Sequence, residues 1–484
     1  MIDQRDMPSS FASQHPDHFD QNLWEFIPAQ NEAHLHGLEQ NENPQQLTST
    51  TVRRSTSNSS TGSASSSRKI RGPFKTAKAR TETGMCVINE DDREGICQKC
   101  LVLSEPFSRV PCIRDKITDA TVFLEMAAPD PRKTNRWKTM KPINITTWKS
   151  TDRRTVEWTQ GVGTKACKLK VREFQPVDGD ALDRTWTVAG SMKRKPCPTF
   201  AIEDMAAAAV NVIPWFDSSV VAYVKKGLNH DDRLIHSHYA FAYKISQDVA
   251  GDDGRQNERK LLRNVLRLWA AARTNTETDL LCGSELLGMK PDSDDPFSPY
   301  FERIPTPPVM AVQLQIILWC SILVPLKRQV LSQLQALILA NKTQSWLTIY
   351  LCLFMFLHSC ALITKGDYNY ARKHAMKRMY AEPGVLEGLH HGATTMLAYF
   401  HYRNKGDLPF KFNSEKSDWV DLGGLDEEAT RFIEYAFEEI RRRKSEIDGV
   451  KEKKIYHDDL FFVSQMFDTD WKPVATEPFV AFEE

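Results

Sequence analysis

The chain has 484 residues, with 63 Lys and Arg balanced by 63 Asp and Glu, so its formal charge is zero. Its 41% apolar content is low for a protein of this size packed throughout, which sets aside a fold that uses every residue. The opening Met1-Ile2-Asp3-Gln4-Arg5-Asp6 has no apolar run of a secretory leader, so the ten cysteines are expected as thiols in a reducing compartment rather than as a disulfide framework.

Residues 1–67 read as a disordered acidic and Ser-rich tail. The first 52 residues hold eight acids, with Arg5 as their only Lys or Arg. Such a segment cannot bury enough apolar surface to offset the entropy of ordering. One island, Phe19-Asp20-Gln21-Asn22-Leu23-Trp24-Glu25-Phe26-Ile27, sets aromatics among acids. Phe19, Leu23, Trp24 and Phe26 there have the pattern of an activation-type segment that docks into a partner's groove; the plain alternative is a sticky patch.

Residues 68–119 read as a basic arm followed by a cysteine module. Residues 53–80 hold eight basic residues and no acid. Arg68, Lys69, Arg71, Lys75, Lys78 and Arg80 suit phosphate contact or nuclear import, against the alternative of a solvated linker. Cys86, Cys97, Cys100 and Cys112 follow in the order C-x10-C-x2-C-x11-C. Cys97 and Cys100 supply two thiolates from one turn, and Cys86 and Cys112 flank them at nearly equal distance, so four sulfurs could hold a tetrahedral zinc. The alternative is four unrelated thiols.

Residues 120–199 read as a mixed linker with short strands, centred on Trp148–Val171 with Gly161 and Gly163 as punctuation. From 200 to 467 the period becomes helical. Ala201–Lys226 is expected as a helix broken at Pro214, and Asn257–Thr274 as an amphipathic one. A helix opening at Thr306-Pro307-Pro308 is interrupted or kinked at Pro325 and continues as Lys327–Asn341. Asp367–Ala381, Val385–Arg403 and Asp426–Glu446 complete the set. Thr343–Thr364 carries no Lys, Arg, Asp or Glu and is long enough to span a bilayer. With amphipathic helices around it and His358 inside it, a buried core helix is the favoured reading. Residues 468–484 form an acidic-aromatic tail.

Other signals stay with their plain readings. Gly161-Val162-Gly163-Thr164-Lys165 lacks the order of a phosphate loop, and Asp292-Ser293-Asp294-Asp295 lacks the rest of a calcium loop. His390, His391 and His401 read as core or surface histidines, and His236 and His238 have no carboxylate in helical register. No convergent acid–base or nucleophile set is visible, so an enzyme is not expected, and no small-molecule substrate is called for.

Gly72-Pro73-Phe74-Lys75, Gly95-Ile96-Cys97-Gln98-Lys99-Cys100 and Arg109-Val110-Pro111-Cys112-Ile113-Arg114-Asp115-Lys116-Ile117-Thr118-Asp119 resemble the fungal-type binuclear zinc cluster transcription regulators. Trp346–Phe354, His358–Leu362, His390-His391-Gly392 and Phe400-His401-Tyr402 are similar to a filamentous-fungal branch of them. That family binds two zincs through six cysteines. The resemblance implies that Cys86, Cys97, Cys100 and Cys112 match the third to sixth cysteines. The first two, and the basic loop that reads bases, have no counterpart, because Gly84-Met85-Cys86 runs straight from the arm into the second half. At most one zinc is then expected, on Cys97, Cys100 and Cys112 with Cys86 as fourth ligand.

The expectation is a mainly α protein with a disordered head, an incomplete zinc module, a mixed linker and a large helical domain. Its implied role is a nuclear, DNA-binding regulator of transcription by RNA polymerase II with impaired base reading. The implied partners are DNA, weakly selected, and the transcription machinery or co-regulators. The alternatives are a helical interaction module that no longer binds DNA and, more remotely, a membrane-associated helical protein.

Overall fold

A computed structural model describes residues 115–482, apart from 126–127, 130–131, 164, 189–190, 229–230, 249–253, 292, 294–297, 374–375, 383, 405–424, 469–470 and 479–481. The fold is mainly α with a small sheet region.

The strands follow a period of two. In β2 (Cys167–Phe174), Cys167, Leu169 and Val171 are buried while Lys168 and Lys170 are exposed. β1 (Trp148–Thr159) pairs with it antiparallel, Val156 opposite Leu169 and Trp158 opposite Cys167. The reversal between them passes through Gly161 and Gly163 at φ of 65° and 75°, a region glycine enters without strain. β3 (Asp183–Val188) and β4 (Ser191–Pro196) form a separate hairpin. β5 (Phe200–Ile202), β6 (Leu280–Cys282) and β7 (Ile304–Pro305) complete a five-stranded sheet in the order β5-β2-β1-β6-β7. Within the loops that frame it, Asp180 has a fully buried side chain. It accepts from Arg136 through both carboxylate oxygens, from Thr134 at 2.8 Å and from the Val177 N–H at 2.9 Å.

α1 (Met205–Gly227) starts at Asp204, whose carboxylate accepts the Ala206 and Ala207 N–H groups at 2.9 and 3.1 Å. Pro214 does not break this helix, contrary to the expectation. Pro214 lies on the exposed side and so does Val210, so water can satisfy the carbonyl that the missing N–H leaves free. The buried side carries Val212, Trp215, Phe216 and Tyr223; Trp215 packs on Trp158 at 4.3 Å between ring centroids. α2 (Arg233–Gln247) and α3 (Gln256–Thr274) follow, the latter burying Leu261, Leu262, Val265, Leu266, Leu268 and Trp269.

α4 (Pro308–Leu318) runs through a π segment, Trp319–Leu323, into α5 (Val324–Ala340). The expected interruption at Pro325 is thus absorbed by a wider turn just before it, and the helix continues. α6 is a single helix, Trp346–Lys373, which joins the apolar run to residues expected to begin a second helix at Asp367. That second helix does not extend to Ala381. The Asp367 carboxylate instead accepts the N–H groups of Tyr380 and Ala381, both at 2.8 Å, and folds that stretch back. α7 (Val385–Arg403) begins at Gly384, φ 90°, whose N–H is accepted by the Glu387 carboxylate. α8 (Glu427–Arg442) and α9 (Lys444–Glu452) close the chain of helices.

Three helical stretches, Met205–Gly227, Pro308–Ala340 and Thr343–Lys373, are long and apolar enough to cross a membrane by length and composition. The most apolar window of the last is 89% buried within the protein, with Ile349 to Leu357 at its centre almost wholly covered.

Candidate functional site

Every site residue expected from sequence lies outside the described residues. These are the thiols Cys86, Cys97, Cys100 and Cys112, the arm residues Arg68, Lys69, Arg71, Lys75, Lys78 and Arg80, and the island Phe19, Leu23, Trp24 and Phe26. The end of the cysteine block is described, and it is seated on the helices. Ile117–Asp119 forms one short turn, closed by Ala120 N–H to the Ile117 carbonyl at 3.2 Å. Ile117 is fully buried, and Ala120, Val122 and Phe123 nearly so. The Tyr399 hydroxyl of α7 donates to the Asp115 carbonyl at 3.1 Å, and His391 meets the Asp115 carboxylate at 3.1 Å. Thr121 crosses α7 at Gly392, where a Cβ would lie 2.2 Å from the Thr121 carbonyl oxygen. Phe123 packs edge-on against Trp319 at 5.6 Å, and Lys327 pairs with Glu125.

The histidines on the helices are consumed by the core. The His238 Nδ1–H donates to the Leu234 carbonyl at 2.6 Å, so in the neutral ring Nε2 accepts from the Tyr350 hydroxyl, 2.7 Å away. The same ring stacks on Phe354 at 3.6 Å. His358 Nδ1 lies 2.9 Å from the Tyr239 hydroxyl. His390 spans Thr364 and Thr476, both at 2.9 Å. His401 Nε2 donates to the Gln465 carbonyl, and its ring stacks on Trp471. Burial holds His238 and His358 down to about 3 and His390 to about 4, so all three are neutral at physiological pH. Thr476 and Trp471 belong to the acidic-aromatic stretch, which therefore packs on α7 where it is described.

Among the described residues, no group of three or more His, Cys, Asp or Glu side chains is arranged to hold a metal ion. Their cysteines are free thiols, and burial pushes Cys167 up to about 12 and Cys352 and Cys360 further, which suppresses the thiolate that metal binding needs. A cleft of about 530 Å³ beside the sheet is lined by Gln160, Lys226, Glu277, Cys282, Glu302 and Arg303. Its polar groups are committed to each other: Lys226 pairs with Glu277 at 2.6 Å, and Gln160 bonds Tyr223, Asp279 and Thr274.

A feature the motif search passes over is the charge of the strands. Residues 132–196 carry 16 Lys and Arg against 6 Asp and Glu, a net of +10, whereas residues 197–484 carry 33 against 39, a net of −6. A running charge count finds it directly. Lys168, Lys170 and Arg172 alternate outward along β2, and Arg153 lies opposite Arg172. Arg153 and Arg172 share Glu203, and Lys168 reaches Glu157 at 3.9 Å. Lys138, Lys141, Lys170 and Lys193 are exposed, without a carboxylate partner among the described residues.

The family model of the KpeA transcription factors matches residues 123–466, which takes in both the strands and the helices. The chain belongs to the KpeA transcription factor family. A curated relative, the satratoxin biosynthesis SC3 cluster transcription factor SAT20 of Stachybotrys chartarum, is 21% identical over 317 residues. The match covers 62% of this chain and 42% of that relative, so this chain spans well under half the length of the protein it resembles. No solved structure matches. The KpeA region begins at Phe123, directly after the docked turn, so that turn joins the cysteine block to the family's own domain.

Proposed function

We propose that this chain is a nuclear transcription regulator of the zinc-cluster type. It contacts DNA mainly through phosphates and engages co-regulators of RNA polymerase II through its helices and its acidic-aromatic head. The observation that carries this reading is membership in a transcription-factor family over residues 123–466. The donor set supports the metal: Cys97, Cys100 and Cys112, with Cys86 as fourth, are four thiols suited to one tetrahedral zinc. Zinc bound there would cross-link a segment too small to hold itself together. Two runs of positive charge flank the thiols in sequence, the arm from Arg68 to Arg80 and residues 132–196, while the segment most remote in sequence is net negative. Phosphate contacts of this kind position a protein on DNA and leave base reading weak.

Metal analysis of the purified full chain, followed by DNA binding across a salt series, tests the reading. One zinc per chain and an affinity that falls steeply with salt are expected, with a slope of about −0.9 per phosphate contact. A chain with neither zinc nor DNA affinity at low salt overturns it in favour of a helical interaction module.

A further inference from the structure

The cysteine block and the helical domain meet through an anchor whose parts have one evident use. Three residues separate Cys112 from Asp115, whose carbonyl is held by Tyr399. That chain reaches at most about 11 Å. Behind Asp115 the path is fastened three times within eight residues: by the buried Ile117, by Thr121 crossing Gly392, and by Phe123 against Trp319. α7, which receives it, is itself fixed from the other side. His390 bridges Thr364 of α6 and Thr476, and His401 holds the Gln465 carbonyl and stacks on Trp471. Gly392 records how close the approach is. Any side chain there would drive into backbone, since the nearest atoms to a Cβ are the Thr121 O, N and C at 2.2, 3.0 and 3.1 Å. A linker that only joined two independent modules would have no need of this seat.

We propose that α7 is the positioning element of the cysteine module. Through Tyr399, Gly392 and the buried Ile117 turn it fixes where Cys112 leaves the helical domain, so that metal retention by the thiols and the packing of α7 are energetically linked. The proposal rests on the reading of the thiols as zinc ligands, and it gives that site a second shell in a distant part of the sequence. Such outer contacts typically change metal affinity by about 10- to 100-fold. Linkage is reciprocal, so zinc must in turn tighten the seat of the turn on α7.

The test uses the full chain and two variants. Gly392→Ala forces Thr121 off α7; Tyr399→Phe removes one hydrogen bond and leaves the helix intact, so it decides the matter if the first variant fails to fold. Two readouts are taken. The first is the alkylation rate of Cys112 in the metal-free chain, followed by mass spectrometry of its peptide. The second is zinc affinity by competition with a chelator, with the thermal midpoint of the helical domain recorded beside it. Alkylation several-fold faster and zinc about 10-fold weaker in Gly392→Ala, with a smaller change of the same sign in Tyr399→Phe and the thermal midpoint of Tyr399→Phe unchanged, supports the anchor. Unchanged alkylation and unchanged zinc affinity in a folded variant overturn it. A wild-type chain without zinc whose Cys112 alkylation still responds to the variants sinks the metal reading alone and keeps the anchor.

Discussion

The helices α6 and α7 turn polar groups inward, whereas the strands β1 and β2 turn theirs outward. In α6 and α7 the polar atoms of His358, His390 and His401 are used on Tyr239, Thr364, Thr476 and the Gln465 carbonyl, all inside the protein. In β2 the alternation buries Leu169 and Val171 and gives Lys168 and Lys170 to solvent. Conspicuous polar side chains in the first region therefore serve packing, because a buried polar group must find a partner there. The second region keeps its surplus charge available to an anionic partner. Histidine-rich helices attract a search for chemistry, and here they mark the core.

Four measurements break or sharpen this contrast. The largest effect belongs to the helical core: Phe354→Ala, which opens a cavity beneath the His238 ring, is expected to cost about 3–5 kcal/mol in urea unfolding. A cost below 1 kcal/mol would mean that the stack is not part of a close-packed core. Next, Asp180→Ala leaves Arg136 without its buried carboxylate and is expected to cost about 3 kcal/mol. A second unfolding transition in that variant would show the strand loops melting apart from the helices.

The pH dependence comes third. His238, His358 and His390 titrate at about 3, 3 and 4 in the folded chain, well below the ordinary histidine value, because burial disfavours their charged form. The unfolded chain therefore binds more protons below pH 6.5. Stability should be flat with respect to these groups above that pH and fall as pH drops towards 3–4, by up to about 1.4 kcal/mol per pH unit for each histidine. Denaturant midpoints at pH 7.5, 6.5 and 5.5 check it; a midpoint that rises on acidification would refute the neutral assignment. The smallest effect on stability belongs to the strands. Lys168→Ser with Lys170→Ser should stay within about 0.5 kcal/mol of the parent. If these lysines meet phosphates, the same variant should flatten the salt slope of DNA binding by about 1–2.

Part of this was legible without a structure. The α7 boundaries follow from its period and from the Pro383-Gly384 break, and the Gly161–Gly163 reversal between strands follows from glycine's tolerance of positive φ. The KpeA family model, matched over residues 123–466, agrees with a transcription-factor reading first suggested by short blocks such as Pro111-Cys112-Ile113-Arg114. Pro214, Pro325 and Asp367 were misread for a common reason. A local rule gives the preference of a residue, and the outcome depends on what can satisfy the displaced backbone groups: solvent at Val210, a π turn before Pro325, and the Asp367 carboxylate for Tyr380 and Ala381.

The sequence by itself determined the elements with a strong period, the charge segregation and the thiol spacing, since each is a property of neighbours along the chain. Tertiary structure alone decided that the uncharged run of α6 is enclosed by protein, that the histidines partner tyrosines and threonines from other helices, and that the end of the cysteine block is seated on α7. His391 and Tyr399 lie 276 and 284 residues from Asp115. No periodicity or spacing rule acts over such separations; the pairing exists because folding removes both partners from water together.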